Sequence, residues 1–203
     1  LARHGGGQGD REEYDSLLTM MKEETNRLAR LVEDLLLFSQ TGRLSREPVD
    51  PGLLLQTAAA DVQEQFHESD GHRIEIHRQD ELPAFPGSFD SLRRALVNLL
   101  VNALQSSTGE KTVRILARRG GDRQEKLMIG VRDRAGGISP EEVSEIFEPF
   151  FSTRPTGTGL GLPIVKSIVE AHQGELSLEN EPGVGATFWM TMPLVEQRPS
   201  REK

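Results

Sequence analysis

Asp133-Arg-Ala-Gly-Gly-Ile138, Phe147-Glu-Pro-Phe-Phe151 and Gly157-Thr-Gly-Leu-Gly-Leu162 follow one another along the chain, and the last of them opens a predicted helix over 160–172. Glycine lets backbone N–H groups approach a ligand with no Cβ in the way, and a helix N-terminus offers unpaired donors and a positive dipole end. That is the chemistry of a phosphate cradle. Just upstream, the apolar run 127–131 ends in Arg132 and Asp133. A carboxylate there can accept a hydrogen bond from an exocyclic amine such as adenine's. The stretch thus offers both ends of a nucleotide, although a glycine run by itself is more often a turn or a helix start.

Working outward, the next signal lies in Leu92-Arg-Arg-Ala-Leu-Val-Asn98-Leu-Leu-Val-Asn102-Ala-Leu104. Phe89, Leu92, Leu96, Leu99 and Ala103 recur at helical spacing and form a core stripe, which leaves Asn98 and Asn102 stacked on its flank. Asparagine is a poor helix former, so two on one face ask for a reason beyond surface polarity. Their amide oxygens suit Mg²⁺, which usually keeps water and ligand phosphates in its other positions. Between 138 and 157 the sequence predicts a lid: Pro140-Glu141-Glu142 is a helix start with carboxylates at the positive dipole end, and Phe147, Phe150 and Phe151 serve either as core or as tethers. Arg154 is the nearest cation to the cradle on that side, either a phosphate ligand or a solvated surface residue.

These motifs resemble the catalytic, ATP-binding region of sensor histidine kinases, within the superfamily of gyrases, chaperones and histidine kinases. Residues 98–103 look like that family's asparagine box, 133–138 like its first glycine box, 147–151 like its phenylalanine box and 157–162 like its second glycine box; Gly183-Val-Gly-Ala-Thr-Phe188 is similar to its final one. All five stand in the family's order. One departure is Ala135, where the family usually has glycine, so the backbone beside the adenine is more restricted. The resemblance implies that Asn102 coordinates Mg²⁺ with Asn98 assisting, and that Asp133, with Ala135, Gly137 and Ile138 around it, reads adenine. It further implies that Gly157, Thr158, Gly159, Leu160, Gly161 and Leu162 hold the phosphates, and that Phe150, Arg154 and Thr187 complete the nucleotide site.

Composition bounds the rest. The 203 residues carry a net charge of −8 and no cysteine, which argues against a general nucleic-acid binder and removes disulfides and thiolate metal sites. No apolar run is long enough to span a bilayer, and no secretory signal opens the chain. We expect a soluble piece of a longer protein. A long helix is predicted over 11–40, with Leu17, Met21, Leu28, Leu31, Leu35 and Phe38 on one side. By its pattern it is a packing helix or one that needs a partner. The resemblance makes it mainly the second helix of a dimerisation and histidine-phosphotransfer hairpin, so that 1–44 is a hairpin remnant, 45–195 the catalytic domain and 196–203 a polar tail. Prolines and glycines over 48–52 predict a hinge between them. A helix over 53–67, strands around 74–76, 113–117, 127–131, 176–178 and 187–192, and the two helices already placed predict an α+β fold, a two-layer α/β sandwich with a mixed sheet.

The activity implied is a protein-histidine kinase that uses ATP and Mg²⁺, passing the γ-phosphoryl to a histidine and onward to the aspartate of a response-regulator receiver domain. The parent is expected to be a homodimer acting in the cytoplasm, with no nucleic-acid partner and no membrane contact by this segment. None of the five histidines fits the family's acceptor pattern: His4 precedes three glycines, His67-Glu68 runs into Ser-Asp-Gly, His72 and His77 flank a strand, and His172 falls in the last turn of a helix, a place for a dipole role. The acceptor is therefore expected upstream of Leu1. Two other classes stand beside this one, a nucleotide-gated binding module or phosphatase-biased homologue and a conformational ATPase. Asn98 speaks against the last, because an amide cannot serve as the general base for water.

Overall fold

The computed structural model describes residues 46–66, 71–107, 112–154 and 157–195, with Tyr14, 17–22 and Thr25 before them. Most of the helix predicted over 11–40, the boundary near 44, His4, His67 and the tail 196–203 lie outside the described residues. Residues 17–22 are helical, and Leu17, Leu18, Met20 and Met21 are exposed there.

The predicted hinge over 48–52 is regular structure. Strand β1 (Glu47–Val49) runs antiparallel to a short strand, Phe85–Gly87, placing Pro48 opposite Pro86. A two-stranded ribbon is all edge, and there proline's missing N–H costs no ladder bond in a sheet interior. Helix α1 (Pro51–Gln65) follows at once: Asp50 caps it by accepting from the Leu53 N–H at 2.8 Å, and proline occupies its first turn. Leu54, Leu55, Ala58, Ala59 and Val62 turn its apolar side inward.

Strand β2 (Arg73–Arg78) leads through β3 (Phe85–Gly87) into helix α2 (Phe89–Ser106) and then to β4 (Thr112–Gly120), which lies parallel to β2. A parallel return needs such a crossover, and α2 supplies it. β4 turns back antiparallel into β5 (Lys126–Arg132) through residues 121–125. A single turn, α3 (Pro140–Val143), precedes α4 (Gly161–Ala171) and the closing pair β6 (Glu175–Glu181) and β7 (Gly185–Pro193). The sheet order is β2-β4-β5-β7-β6, with every neighbour after the first pair antiparallel. This is the expected two-layer α+β sandwich with a mixed sheet.

Alternation fixes which face is covered. Val113, Ile115 and Ala117 of β4, Leu127, Ile129 and Val131 of β5, and Phe188, Met190 and Met192 of β7 are buried in one core with α1, α2 and α4. Leu92, Leu96, Leu99, Leu100 and Leu104 place α2 at its centre, each burial stabilising the fold by on the order of 2 kcal/mol. The opposite face is mixed, with Leu116, Met128 and Trp189 among polar and basic side chains and Arg118 lying 5.0 Å over the Trp189 ring. Among the described residues no helix is long and apolar enough to cross a membrane.

Candidate functional site

With one flank of α2 outside the core, a cavity of about 640 Å³ opens between that flank, the end of β5 and the segment running from α3 into α4. At its base Asp133 is 6% exposed. Its backbone N–H donates to the Ala186 carbonyl at 3.0 Å, and its Oδ1 accepts from the N–H groups of Ala135 (2.9 Å) and Ala186 (3.3 Å). Oδ2 has no protein partner among the described residues, and the side chain lines the cavity. This carboxylate is thus held by one oxygen and offers the other. The close approach of β7 behind it requires Gly185, since a Cβ there would stand 2.2 Å from the Asp133 carbonyl oxygen.

The glycine loop after Asp133 is clamped by β6 and the turn that follows it. Asn180 Oδ1 accepts from the Ile138 N–H at 2.9 Å, its Nδ2 donates to the Ile138 carbonyl at 2.8 Å, and the Gly183 N–H donates to the Gly136 carbonyl at 2.7 Å. Ser139 then starts α3 with a reciprocal cap, its hydroxyl accepting from the Glu142 N–H while the Glu142 carboxylate accepts from the Ser139 N–H. At the far side of the lid the Phe150 N–H donates to the Gly159 carbonyl at 3.0 Å. Gly159 has φ +70° and leaves no room for a Cβ, which would lie 2.4 Å from the Phe150 carbonyl carbon.

α4 begins directly against α2. A Cβ on Gly161 would sit 3.4 Å from Asn102 Nδ2, and Leu160, the residue that caps α4, makes no side-chain cap bond. Gly161 and Leu162, the first residues of α4, thus line the cavity beside Asn102. The side-chain amides of Asn98 and Asn102 are half-buried, line the cavity and hydrogen-bond to no described residue. Free amide oxygens beside a glycine-rich helix start have the chemistry to hold a Mg²⁺ ion that takes its remaining ligands from water and a bound anion. No cluster of three or more His, Asp or Glu residues that could hold a metal occurs among the described residues.

Most of the residues singled out in the sequence come together here: Asn98, Asn102, Asp133, Ala135, Gly137, Ile138, Arg154, Gly157, Thr158, Gly159, Gly161 and Leu162 all line the cavity. Three do not. Phe150 is 68% exposed and points away, with φ +70°; its neighbour Phe151 takes the place on the wall. Leu160 and Thr187 are buried, Thr187 opposite Arg132 in the β5–β7 ladder. Sequence reasoning passed over Arg94, Ala186 and Phe188 on the wall, and Asn180 behind it. Arg94 was findable, since it stands four residues before Asn98 on the same helix face. Asn180 had no signal, being one polar residue of an edge strand.

Arg154 departs most from expectation. Its guanidinium hydrogen-bonds Gln105 Oε1, the Asn102 carbonyl (3.2 Å) and Ser106 Oγ (2.9 Å), all in the last turn of α2. Burial pushes its pKa below that of an ordinary arginine. It fastens the lid to the negative end of a helix. His172 is likewise no dipole cation: at 2% exposure its Nε2 accepts from the Ser88 N–H (2.9 Å) and its Nδ1–H donates to the Ile168 carbonyl (2.7 Å), the neutral tautomer. None of the described histidines, His72, His77 and His172, lines the cavity.

A two-layer sandwich with a glycine-framed cavity between an asparagine-bearing helix and the glycine-rich start of another has the architecture of a nucleotide-binding domain of the ATPase type. A model of the histidine kinase-, DNA gyrase B- and HSP90-like ATPase family matches residues 87–196, and the chain belongs to that family. It is similar to the sensor histidine kinase ZraS of Klebsiella oxytoca, 32% identical over 92% of this chain and 40% of that protein. The alginate biosynthesis sensor protein KinB of Pseudomonas aeruginosa is 36% identical over 88% of this chain and 30% of its own length. The solved structure of full-length ShkA in complex with AMPPNP superposes with a TM-score of 0.77 at 30% identity, covering 93% of this chain and 41% of that one. The mycobacterial sensor histidine kinase MprB gives 0.63 at 28% identity over 75% of this chain and 99% of that one. The region is of the catalytic ATP-binding type of sensor histidine kinases, and the chain spans about two fifths or less of the length of these curated relatives.

Proposed function

We propose that this chain binds Mg-ATP in the cavity and passes the γ-phosphoryl group to a histidine nitrogen outside the described residues, releasing ADP, for onward transfer to a response-regulator aspartate. The observation that carries the reading is the pairing of Asp133's unused Oδ2 at one end with the Asn102–Gly161 contact at the other. In this reading Asp133 accepts from the adenine amine, Ala135 and Gly137 border the base, and the N–H groups of Thr158, Gly159, Gly161 and Leu162 hold the phosphates, those of Gly157 and Leu160 being bonded to the Arg154 carbonyl and Thr158 Oγ1. Asn102 and Asn98 hold Mg²⁺, whose charge offsets that developing on the transferring group. Transfer of this kind depends on positioning and charge, so no general base is required of the cavity wall. Dimerisation through residues preceding 46 and action in the cytoplasm, where ATP and receiver domains are at hand, complete the proposal.

Calorimetric titration of Mg-ATP into wild type and Asp133→Asn tests it. The amide keeps the oxygen that the Ala135 and Ala186 N–H groups need and turns an NH₂ toward the adenine amine, donor against donor. Affinity should fall at least tenfold, the effect of leaving a buried donor unmatched at about 1–3 kcal/mol, with the melting temperature nearly unchanged. Equal affinity in the two proteins removes Asp133 from the base site and the reading with it.

A further inference from the structure

Among the described residues two cations line the cavity, Arg94 and Arg154, and the fold treats them differently. Arg154 is committed, its guanidinium bonded to Gln105, Ser106 and the Asn102 carbonyl. Arg94 makes no hydrogen bond or ion pair with any described residue. Its neighbour Arg93 pairs with Asp61 on α1, so the two consecutive arginines, about 100° apart around the helix, serve different neighbours, one the adjoining helix and one the cavity.

Position along α2 gives the free cation a role. Arg94, Asn98 and Asn102 are four residues apart and stack on one helix face, each step roughly 6 Å along the axis. Asn102 abuts Gly161 at the phosphate cradle, so the cavity continues from the cradle past Asn98 to Arg94. A nucleotide with its base at Asp133 and its first phosphates at α4 extends its last phosphate along this row. There the cradle amides are already used, and Asn98 is neutral. A triphosphate brings more charge to this end than a diphosphate, and a guanidinium that no described residue engages matches a phosphate's oxygens in a planar fork.

We propose that Arg94 is the residue that reads the terminal phosphate and makes the site prefer the triphosphate to the diphosphate, while Arg154 acts as a clasp on the lid. The assignment rests on the nucleotide reading above. Calorimetry with Mg-ATP and with Mg-ADP on wild type, Arg94→Ala, Arg94→Lys and Arg154→Ala tests it. Arg94→Ala should weaken Mg-ATP about tenfold, the effect of losing one charge-assisted contact, and leave Mg-ADP within about twofold. Arg94→Lys should recover part of the loss, since it keeps the charge and loses the fork. Arg154→Ala should weaken both nucleotides alike, because a clasp on the lid does not distinguish them. If Arg94→Ala leaves the ratio of the two affinities unmoved, the assignment of Arg94 is overturned while the nucleotide site stands. If wild type binds neither nucleotide, the reading of the cavity falls and takes this proposal with it.

Discussion

Asn102 and Gly185 illustrate how the site separates binding from folding. The Asn102 side chain lies off the apolar stripe of α2 and bonds to no described residue, so its truncation removes a ligand-facing amide and little packing. Asn102→Ala should abolish the Mg²⁺ dependence of ATP binding and leave the unfolding free energy from urea denaturation within about 0.5 kcal/mol of wild type. Calorimetry with and without Mg²⁺ would show it, and a binding constant that still requires Mg²⁺ would reject the assignment. Gly185 is the opposite case. A methyl there meets the Asp133 and Arg134 backbone at 2.2 to 3.1 Å, and backbone held in a sheet cannot step aside as a flexible side chain can. Gly185→Ala should cost at least about 1–3 kcal/mol, the range for overpacking, measured by urea denaturation. An unchanged midpoint would mean that β7 and the Asp133 loop separate easily, contrary to the bonds between Asp133 and Ala186.

Helix α4 is held at both ends, and the lid beside it by a clasp and one backbone bond. Its N-terminus meets Asn102, while at its C-terminus Arg46 donates to the Ala171 carbonyl at 3.0 Å and His172 joins the Ile168 carbonyl to the Ser88 N–H at the start of α2. Burial, with the Arg46 charge adding and the Ile168 hydrogen bond opposing, holds the His172 pKa below its ordinary value. Above about pH 6.5 the imidazole is neutral in both folded and unfolded chains. Below that pH the unfolded chain takes the proton first, so stability falls with a slope of up to about 1.4 kcal/mol per pH unit until the lowered folded pKa is passed. Urea unfolding at pH 7.5 and 5.5 should show that loss, and His172→Gln should show less of it; an equal loss in both would place the titrating group elsewhere. The lid depends on the Arg154 clasp and the Phe150–Gly159 bond. Arg154→Ala should speed amide hydrogen exchange at 148–160 several-fold without moving the melting temperature, and exchange that stays at the wild-type rate would leave the clasp without consequence.

At the scale of the molecule, periodicity made the sandwich legible. The core stripe of α2 and the alternation in β4 were readable because burial on one face imposes a period on the sequence, whereas β7, buried along nearly its whole length, reads as an apolar run. The β1–β3 ribbon escaped because prolines occupy both strands, and in a two-stranded edge they signal a break and a strand with the same residue. The wall of the cavity was legible where chemistry demands a residue type, as at Asp133, Asn98 and Asn102. It was not legible where orientation decides, as at Phe150, Leu160 and Arg154, whose side chains turn outward, into the fold or onto α2. Orientation also bears on whether the chain can modify itself. His172 is locked in the core, and His72 and His77 stand off the cavity. Incubated alone with Mg-ATP, the chain should therefore bind nucleotide and acquire no acid-labile, base-stable phosphate on these residues. If the acceptor belongs to a hairpin helix that the exposed Leu17, Leu18 and Met21 help to dock, a separate polypeptide carrying that helix should restore transfer in trans. Mass spectrometry of base-quenched reactions distinguishes the outcomes: phosphate on His172 would contradict its burial, and rapid free phosphate with no phosphohistidine on either polypeptide would favour a conformational ATPase over a kinase.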